Sequence, residues 1–165
     1  QAFPARSRGG EKPYRYCISR APVLSPFDAG LAWHRPLAWS TDILEQAVRL
    51  FLGTHDFTAF AALRGNEPRP IPADYFLRTI TQAQVVQEGE HVFITLTGTG
   101  FLYKMVRLMA GAAHEAARGK ITLDELARLI NYPRPDDKSP FCAPPDGLTL
   151  MQVHYAEEAP GNKQE

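Results

Sequence analysis

Hydrophobic residues recur at helical spacing within residues 98–120, the most strongly patterned segment of the sequence. At about 3.6 residues per turn, residues 102–118 form an apolar arc with Phe101 and Leu108 at its edge. The arc consists of Leu102, Met105, Val106, Met109, Ala112, Ala113 and Ala116. The opposite arc carries Lys104, Arg107, Gly111, His114 and Arg118. The pattern predicts a long helix with one buried face, and its basic face is either simply solvated or half of a binding site.

Two further helices have capping signals. Ser40 or Thr41 precedes a stripe of apolar residues, and Gly53 follows it, so we expect a helix between them. The stripe is Leu44, Ala47, Val48 and Phe51. Thr122 and Glu125 have capping-box spacing and predict a short helix through Ile130. Residues 54–60 predict a tight turn followed by one helical turn.

Strands are predicted where β-branched or aromatic residues alternate with polar ones. Four segments fit this pattern: residues 14–20, 77–87, 91–97 and 148–155. A short extended segment is also expected at residues 31–34. The second and third strands should pair as a hairpin around the turn at residues 88–90, with Val92, Ile94 and Leu96 on one face. Proline-rich loops are expected at residues 63–73 and 132–145.

The order of elements predicts an α+β fold in which helices pack on a mainly antiparallel sheet. A chain of 165 residues suits one domain, which we assign to residues 1–156, followed by a polar tail at 157–165. The chain begins at Gln1 without a methionine, and we expect it to be a piece of a longer protein.

Composition excludes several classes of protein. The 18 basic and 18 acidic residues cancel, so any RNA-binding surface must be a local patch. Cys17 and Cys142 lack metal-ligand spacing and favour reduced thiols in a cytoplasmic protein. The histidines also lack such spacing, so no metal site is predicted. No apolar segment has transmembrane length and no signal peptide is visible, so we expect no membrane contact.

A few residues are candidates for chemistry. His55 and Asp56 are adjacent and do not face one another, which favours a capping role for Asp56. Cys142 lies between prolines without an evident base, which is typical of an inert thiol. Arg107 lies among large apolar residues, where an arginine needs a carboxylate or phosphate partner.

Aromatic and basic residues also alternate near the start of the chain. Tyr14 and Tyr16 lie beside Lys12 and Arg15 on the first predicted strand. An aromatic ring among cations can stack on an unpaired RNA base while the cations bind phosphate. A tyrosine packed in the core is the equally weighted alternative.

Seven segments, in order, resemble the C-terminal half of the tRNA pseudouridine synthases of the TruA type. They are residues 3–6, 12–16, 26–27 with 33–34, 53–60, 78–80, 100–111 and 143–150. The resemblance implies a cofactor-free, homodimeric enzyme that isomerises uridine to pseudouridine in the anticodon arm of tRNA. It further implies that Tyr14 stacks on the target base, that Arg107 pairs with a catalytic aspartate, and that Leu148 forms an apolar wall. Lys12, Arg15, Tyr16 and Lys104 are the expected RNA contacts.

The sequence departs from that family at the nucleophile. The family's aspartate lies in a Gly-Arg-Thr-Asp-Ala-Gly motif upstream of the tyrosine, and this sequence has no such motif. Asp28 is followed by Ala29 and Gly30, but this segment lies downstream of Tyr14, and we interpret it as a coincidence. We therefore expect the chain alone to be inactive. The alternatives are a stand-alone RNA-binding module and a dimerisation module, both without catalysis.

Overall fold

The computed structural model describes residues 10–152. Six strands form one sheet: β1 (Lys12–Ser19), β2 (Trp33–His34), β3 (Gly53–Asp56), β4 (Leu77–Glu88), β5 (His91–Gly98) and β6 (Leu148–Leu150). Their order is β2-β1-β5-β4-β3, and β6 also pairs with β1. The pairing of β1 with β2 is parallel and the others are antiparallel. The predicted α+β class is confirmed.

The hairpin β4–β5 is confirmed, with His91 opposite Glu88 at its turn. Alternation along β5 buries Val92, Ile94 and Leu96 on one face. Leu96 lies opposite Tyr14, and Ile94 lies opposite Tyr16, so both tyrosines face the same side of the sheet as the core.

Within residues 10–152, three helices cover that face: α1 (Thr41–Arg49), α2 (Met105–Ala117) and α3 (Leu123–Asn131). The predicted caps are confirmed, since the side chain of Ser40 accepts from the backbone N–H of Ile43 and that of Thr122 from Glu125. The two short 3₁₀ helices are Thr58–Phe60 and Pro145–Gly147. None of the described helices is long and apolar enough to cross a membrane.

Helix α2 lies at the centre of the core and is buried over most of its surface. Gly111 allows the segment around Phe141 to lie against it. A Cβ at Gly111 would come within 2.1 Å of the Phe141 carbonyl oxygen. Two hydrogen bonds hold the same segment along the helix: the Ser139 hydroxyl donates to the Leu108 carbonyl, and the backbone N–H of Ala143 donates to the Arg107 carbonyl.

The prediction that His114 lies on a polar, basic face of this helix is wrong. Its side chain is only 2% exposed and packs between Trp33 and Trp39, at ring-centroid distances of 4.7 and 5.1 Å. Within residues 10–152 neither ring nitrogen has a hydrogen-bond partner. Burial, together with the charges of Arg35, Arg118 and Arg20, lowers the pKa of His114 to about 4. Both tryptophans belong to residues 21–39, and the helical pattern around His114 could not reveal that this distant segment covers it.

Four features of the element boundaries also differ from the predictions. Helix α2 begins at Met105 because Lys104 adopts a left-handed conformation, with φ of 59°. Gly53 belongs to β3 and does not end α1, whose C-cap is Leu50. Within residues 54–60, the end of strand β3 replaces the predicted tight turn, whereas the predicted helical turn is present as the 3₁₀ helix Thr58–Phe60. Strand β6 ends at Leu150, and residues 153–155 of the predicted strand lie outside the described residues.

Candidate active site

A surface cavity of about 180 Å³ lies where the N-terminal end of α2 meets strands β1 and β6. It brings together the sequence-predicted residues Tyr14, Arg107 and Leu148, and Lys104 lies at its rim. The rest of its wall is formed by Arg64, Phe101, Leu102, Tyr103, Met105 and Val106. Residues that are far apart in sequence therefore share one concave site.

Strand β1 positions the tyrosine. The Tyr14 ring packs edge to face with Phe101 at a centroid distance of 5.0 Å. Opposite it on the sheet lie Leu96 of β5 and Leu150 of β6. These contacts restrain the ring at the cavity wall while it remains partly exposed.

Arg107 is fixed in the first turns of α2. Its Nε donates to the carbonyl oxygen of Ala143 at 2.8 Å, and the Ala143 N–H returns a hydrogen bond of 3.0 Å to the Arg107 carbonyl. This reciprocal pair of hydrogen bonds orients the guanidinium through its Nε atom alone. Its remaining N–H groups can bind a carboxylate or phosphate in the cavity.

Leu148 is the first residue of β6 and lies opposite Tyr16 in the pairing with β1. The preceding Gly147 makes this approach possible, because a Cβ there would lie 2.5 Å from the Cys17 carbonyl oxygen. The strand pairing therefore places an apolar side chain across the cavity from α2.

The cavity wall has an unbalanced charge. Arg64, Lys104 and Arg107 line it, and none of the ten described residues of the wall is an aspartate or glutamate. Arg64 and Lys104 both lie over Tyr103, with their charged groups 4.4 and 5.4 Å from the ring centroid. Such a wall favours an anionic group from elsewhere.

The structure does not support an RNA contact by Tyr16. Its side chain is 0% exposed, and its hydroxyl donates to the Pro144 carbonyl at 2.6 Å. Burial raises the pKa of this hydroxyl, despite the opposing effect of the Arg107 charge. The prediction that Tyr16 contacts RNA is therefore wrong for this fold, because the ring is a core residue.

Two other predicted contacts lie away from the cavity. The Arg15 guanidinium lies over Phe93, at 4.6 Å from the ring centroid, on the sheet face opposite Tyr14. Lys12 begins β1 and is exposed. Neither residue lines the cavity, so only Lys104 of the predicted basic RNA contacts does so.

Sequence reasoning missed Arg64 and Tyr103. Arg64 belongs to the proline-rich loop, which has no periodicity, so no local pattern pointed to it. Tyr103 immediately precedes the left-handed Lys104 and is 39% exposed, whereas the helical pattern placed it within a regular helix. The aromatic residues of the 101–103 segment, beside basic Lys104, were the available signal.

The remaining candidates have structural roles. Asp56 Oδ1 accepts from the Thr58 N–H at 2.9 Å and from its hydroxyl at 2.6 Å, so the capping interpretation is confirmed. His55 Nε2 lies 2.6 Å from the Leu52 carbonyl oxygen. Cys17 and Cys142 are both free thiols. Among residues 10–152, no three His, Cys, Asp or Glu side chains converge as metal ligands would.

Comparison with known proteins gives a consistent result. Residues 47–156 match the family model described as tRNA pseudouridine synthase. The tRNA pseudouridine synthase A of Akkermansia muciniphila is 83% identical over 98% of this chain and 61% of its own length. The enzymes of the same name from Methylacidiphilum infernorum and Pelobacter propionicus are 35% and 38% identical, over 93% and 87% of this chain and 58% and 56% of their own lengths.

The chain thus spans about three fifths of the length of the curated relatives it matches. The family model covers most of the fold, from within α1 to beyond β6, and the relatives extend the match to β1 with Tyr14. The chain belongs to the tRNA pseudouridine synthase family.

Proposed function

We propose that this chain forms the C-terminal part of a tRNA pseudouridine synthase that converts uridine to pseudouridine in the anticodon arm. The observation that carries the proposal is the cavity wall, which combines Tyr14, Arg107 and Leu148 but contains no carboxylate among its described residues. A nucleophilic aspartate from a segment outside these 165 residues would supply the missing negative charge. The chain by itself is then inactive.

Arg107 is the partner of that aspartate. A carboxylate that enters a closed site loses solvation, which raises its pKa, whereas a neighbouring guanidinium lowers it. Arg107 has N–H groups available because only Nε is used in the hydrogen bond to Ala143. The pair keeps the aspartate ionised and correctly oriented.

Tyr14 and Leu148 hold the base between an aromatic and an apolar surface. A uridine that undergoes chemistry must leave its stack, and the loss of stacking is offset by contact with an aromatic ring. Leu148 faces this space from β6 and excludes water from the reacting base.

The conversion is an isomerisation and needs no redox cofactor. The bond between C1′ of the ribose and N1 of the base breaks, and a bond from C1′ to C5 forms. The proton on C5 is released and N1 gains one, so atoms and charge balance. Lys104, the exposed Lys12 and the half-buried Arg15 would attract the tRNA phosphates, and a second copy of the protein completes the proposed homodimer.

The proton lost from C5 provides the test. We expect the full-length protein to release tritium from anticodon-arm RNA whose uridines carry tritium at C5. Tyr14→Leu should reduce kcat/KM by about 5- to 150-fold, the value of one base–aromatic stacking contact, whereas Tyr14→Phe should retain activity. Tyr132→Leu is the control, since this tyrosine is 77% exposed and lines no part of the cavity.

Tight RNA binding without tritium release by the full-length protein would contradict the proposal and favour an RNA-binding module. Equal activity of the Tyr14→Leu and Tyr132→Leu variants would contradict the role of Tyr14.

A further inference from the structure

A second cavity, of about 190 Å³, adjoins the proposed uridine site. The two cavities share the wall formed by Arg64, Phe101, Leu102 and Tyr103. The far side of the second cavity is lined by Ala61, Ala62, Glu67, Tyr75, Phe76 and Arg78. An RNA strand that leaves the uridine site across Tyr103 therefore enters a cavity with an arginine at its boundary and another at its far side.

The loop that carries Arg64 is held in place by its own contacts. The Ala62 N–H donates to the Tyr103 carbonyl at 3.0 Å, and the Arg64 guanidinium lies over the Tyr103 ring. The Glu67 carboxylate accepts from the backbone N–H groups of Arg64 and Gly65. Gly65 has φ of 94°, a conformation that other residues rarely adopt. Arg64 is thus presented at the boundary of the two cavities by an ordered turn.

Arg78 is oriented in a similar way. Its Nη1 donates to the carbonyls of Tyr75 and Leu77, both at 2.8 Å, so its other N–H groups remain for a ligand. The guanidinium is therefore positioned at the second cavity before any ligand binds.

The one carboxylate in the described wall of this cavity, Glu67, does not cancel both arginines. Desolvation acts to raise its pKa, but hydrogen bonds from backbone N–H groups and the charge of Arg69 lower it overall. Its oxygens are used within its own turn. The cavity therefore retains a positive charge that an anion can neutralise.

We infer that this second cavity binds the phosphodiester group adjoining the target uridine, with Arg64 and Arg78 as its ligands. The inference rests on the proposed function, because the strand enters from the uridine site. Arginine binds phosphate with directed N–H groups, and an aromatic ring beside it offers a face for the neighbouring base. Tyr103 lies between the two cavities, with the Arg64 guanidinium over its ring, and is therefore the aromatic residue placed to contact the neighbouring base.

The test uses the full-length protein and an anticodon stem-loop RNA. Arg64→Gln removes one cationic contact from an exposed side chain, so the fold is retained. We expect the Kd to rise about 5- to 30-fold and the slope of log K against log salt to become shallower by about 0.7 to 0.9. Arg49→Gln is the matched control, since Arg49 pairs with Glu45 on α1 and lines neither cavity.

Neutral methylphosphonate groups, introduced one at a time around the target uridine, locate the contact. At the phosphate adjoining the target, the methylphosphonate and Arg64→Gln should be non-additive, because each removes the same ion pair. Additive effects at every position, or an unchanged salt slope, would overturn the inference. Tritium release by the unsubstituted protein is scored separately, so a failure of the proposed function is distinguished from a failure of this contact.

Discussion

At the scale of single residues, the site depends on how side chains are restrained before a substrate arrives. The Nε of Arg107 donates to the Ala143 carbonyl. This hydrogen bond to the backbone of the neighbouring loop orients the whole guanidinium, and its other N–H groups remain available. Tyr14 is restrained by Phe101 and by its neighbours on β5 and β6. Preorganisation of this kind contributes to catalysis because little reordering is needed at the reaction step.

The role of Arg107 can be separated from simple RNA binding. If Arg107 pairs with the aspartate as proposed, Arg107→Ala in the full-length protein should reduce kcat by about 100-fold or more, because the charge that keeps this carboxylate ionised is removed. The Kd for tRNA should change much less. Single-turnover kinetics and binding titrations measure the two quantities.

Ser139→Ala serves as the control for this variant, because it removes another hydrogen bond between the same loop and α2 without a change in charge. It should leave kcat almost unaltered. Parallel losses of kcat and affinity in Arg107→Ala would instead identify Arg107 as a phosphate contact.

His114 predicts how stability depends on pH. Burial holds its folded pKa at about 4, below the ordinary value of 6.5, so the unfolded chain binds more protons between these values. Stability is therefore present above pH 6.5 and is lost as the pH falls towards 4. The loss between pH 7.5 and pH 5 from this group should be about 2 kcal/mol.

Urea unfolding at the two pH values measures this loss. His114→Phe retains an aromatic ring between Trp33 and Trp39 and has no proton to gain, so the variant should lose about 2 kcal/mol less than the wild-type chain on acidification. The same pH dependence in both proteins would show that His114 does not titrate as its burial requires.

At the scale of elements, local patterns predicted the helices and the hairpin better than the site. Ser40 and Thr122 cap α1 and α3 as their spacing indicated. The alternation in β5 correctly assigned its buried face, because burial on one side of a sheet has a period of two residues. Such elements are encoded by neighbouring residues, so the sequence alone predicted their presence and buried faces, although not all of their boundaries.

Features made by distant segments were beyond local patterns. His114 is covered by tryptophans from the 21–39 segment, and Arg64 reaches the cavity from a loop without periodicity. Arg107 and Tyr14 were recognised as candidates from their neighbours in the sequence, but only the family resemblance added Leu148 and linked the three residues, since nothing in their spacing places them together. The left-handed Lys104 was missed because a lysine in that conformation is uncommon.

The contact between α2 and the 141–143 segment gives a prediction at this scale. Gly111→Ala gains helix propensity, but its Cβ would meet the backbone of Phe141 at 2.1 Å, so the segment must shift. We expect a net loss of about 1–3 kcal/mol in the free energy of unfolding, with reduced kcat because Ala143 orients Arg107.

Thermal unfolding and kinetics of the full-length protein check this expectation. Gly100→Ala is the stability control, since its added Cβ makes only an ordinary contact of 3.6 Å with Arg78. A Gly111→Ala variant as stable as Gly100→Ala would contradict the close packing of this segment on α2.

At the scale of the whole molecule, overall charge and local charge differ. The chain has no net charge, yet Arg64, Lys104 and Arg107 converge on one cavity, and Arg78 lies in the next. The described wall of the first cavity contains no carboxylate to balance them. A site of this charge is what the proposed function requires, since the aspartate is proposed to come from another segment.

The most direct test of this account compares pseudouridine formation by the full-length protein and by residues 1–165 alone, at equal concentration and with the same tRNA. Near-ultraviolet circular dichroism of the buried Trp33 and Trp39 verifies that the shorter chain is folded. We expect pseudouridine from the full-length protein and none from the folded 165-residue chain. Pseudouridine formed by residues 1–165 alone would contradict it, because the nucleophile would then lie within this chain.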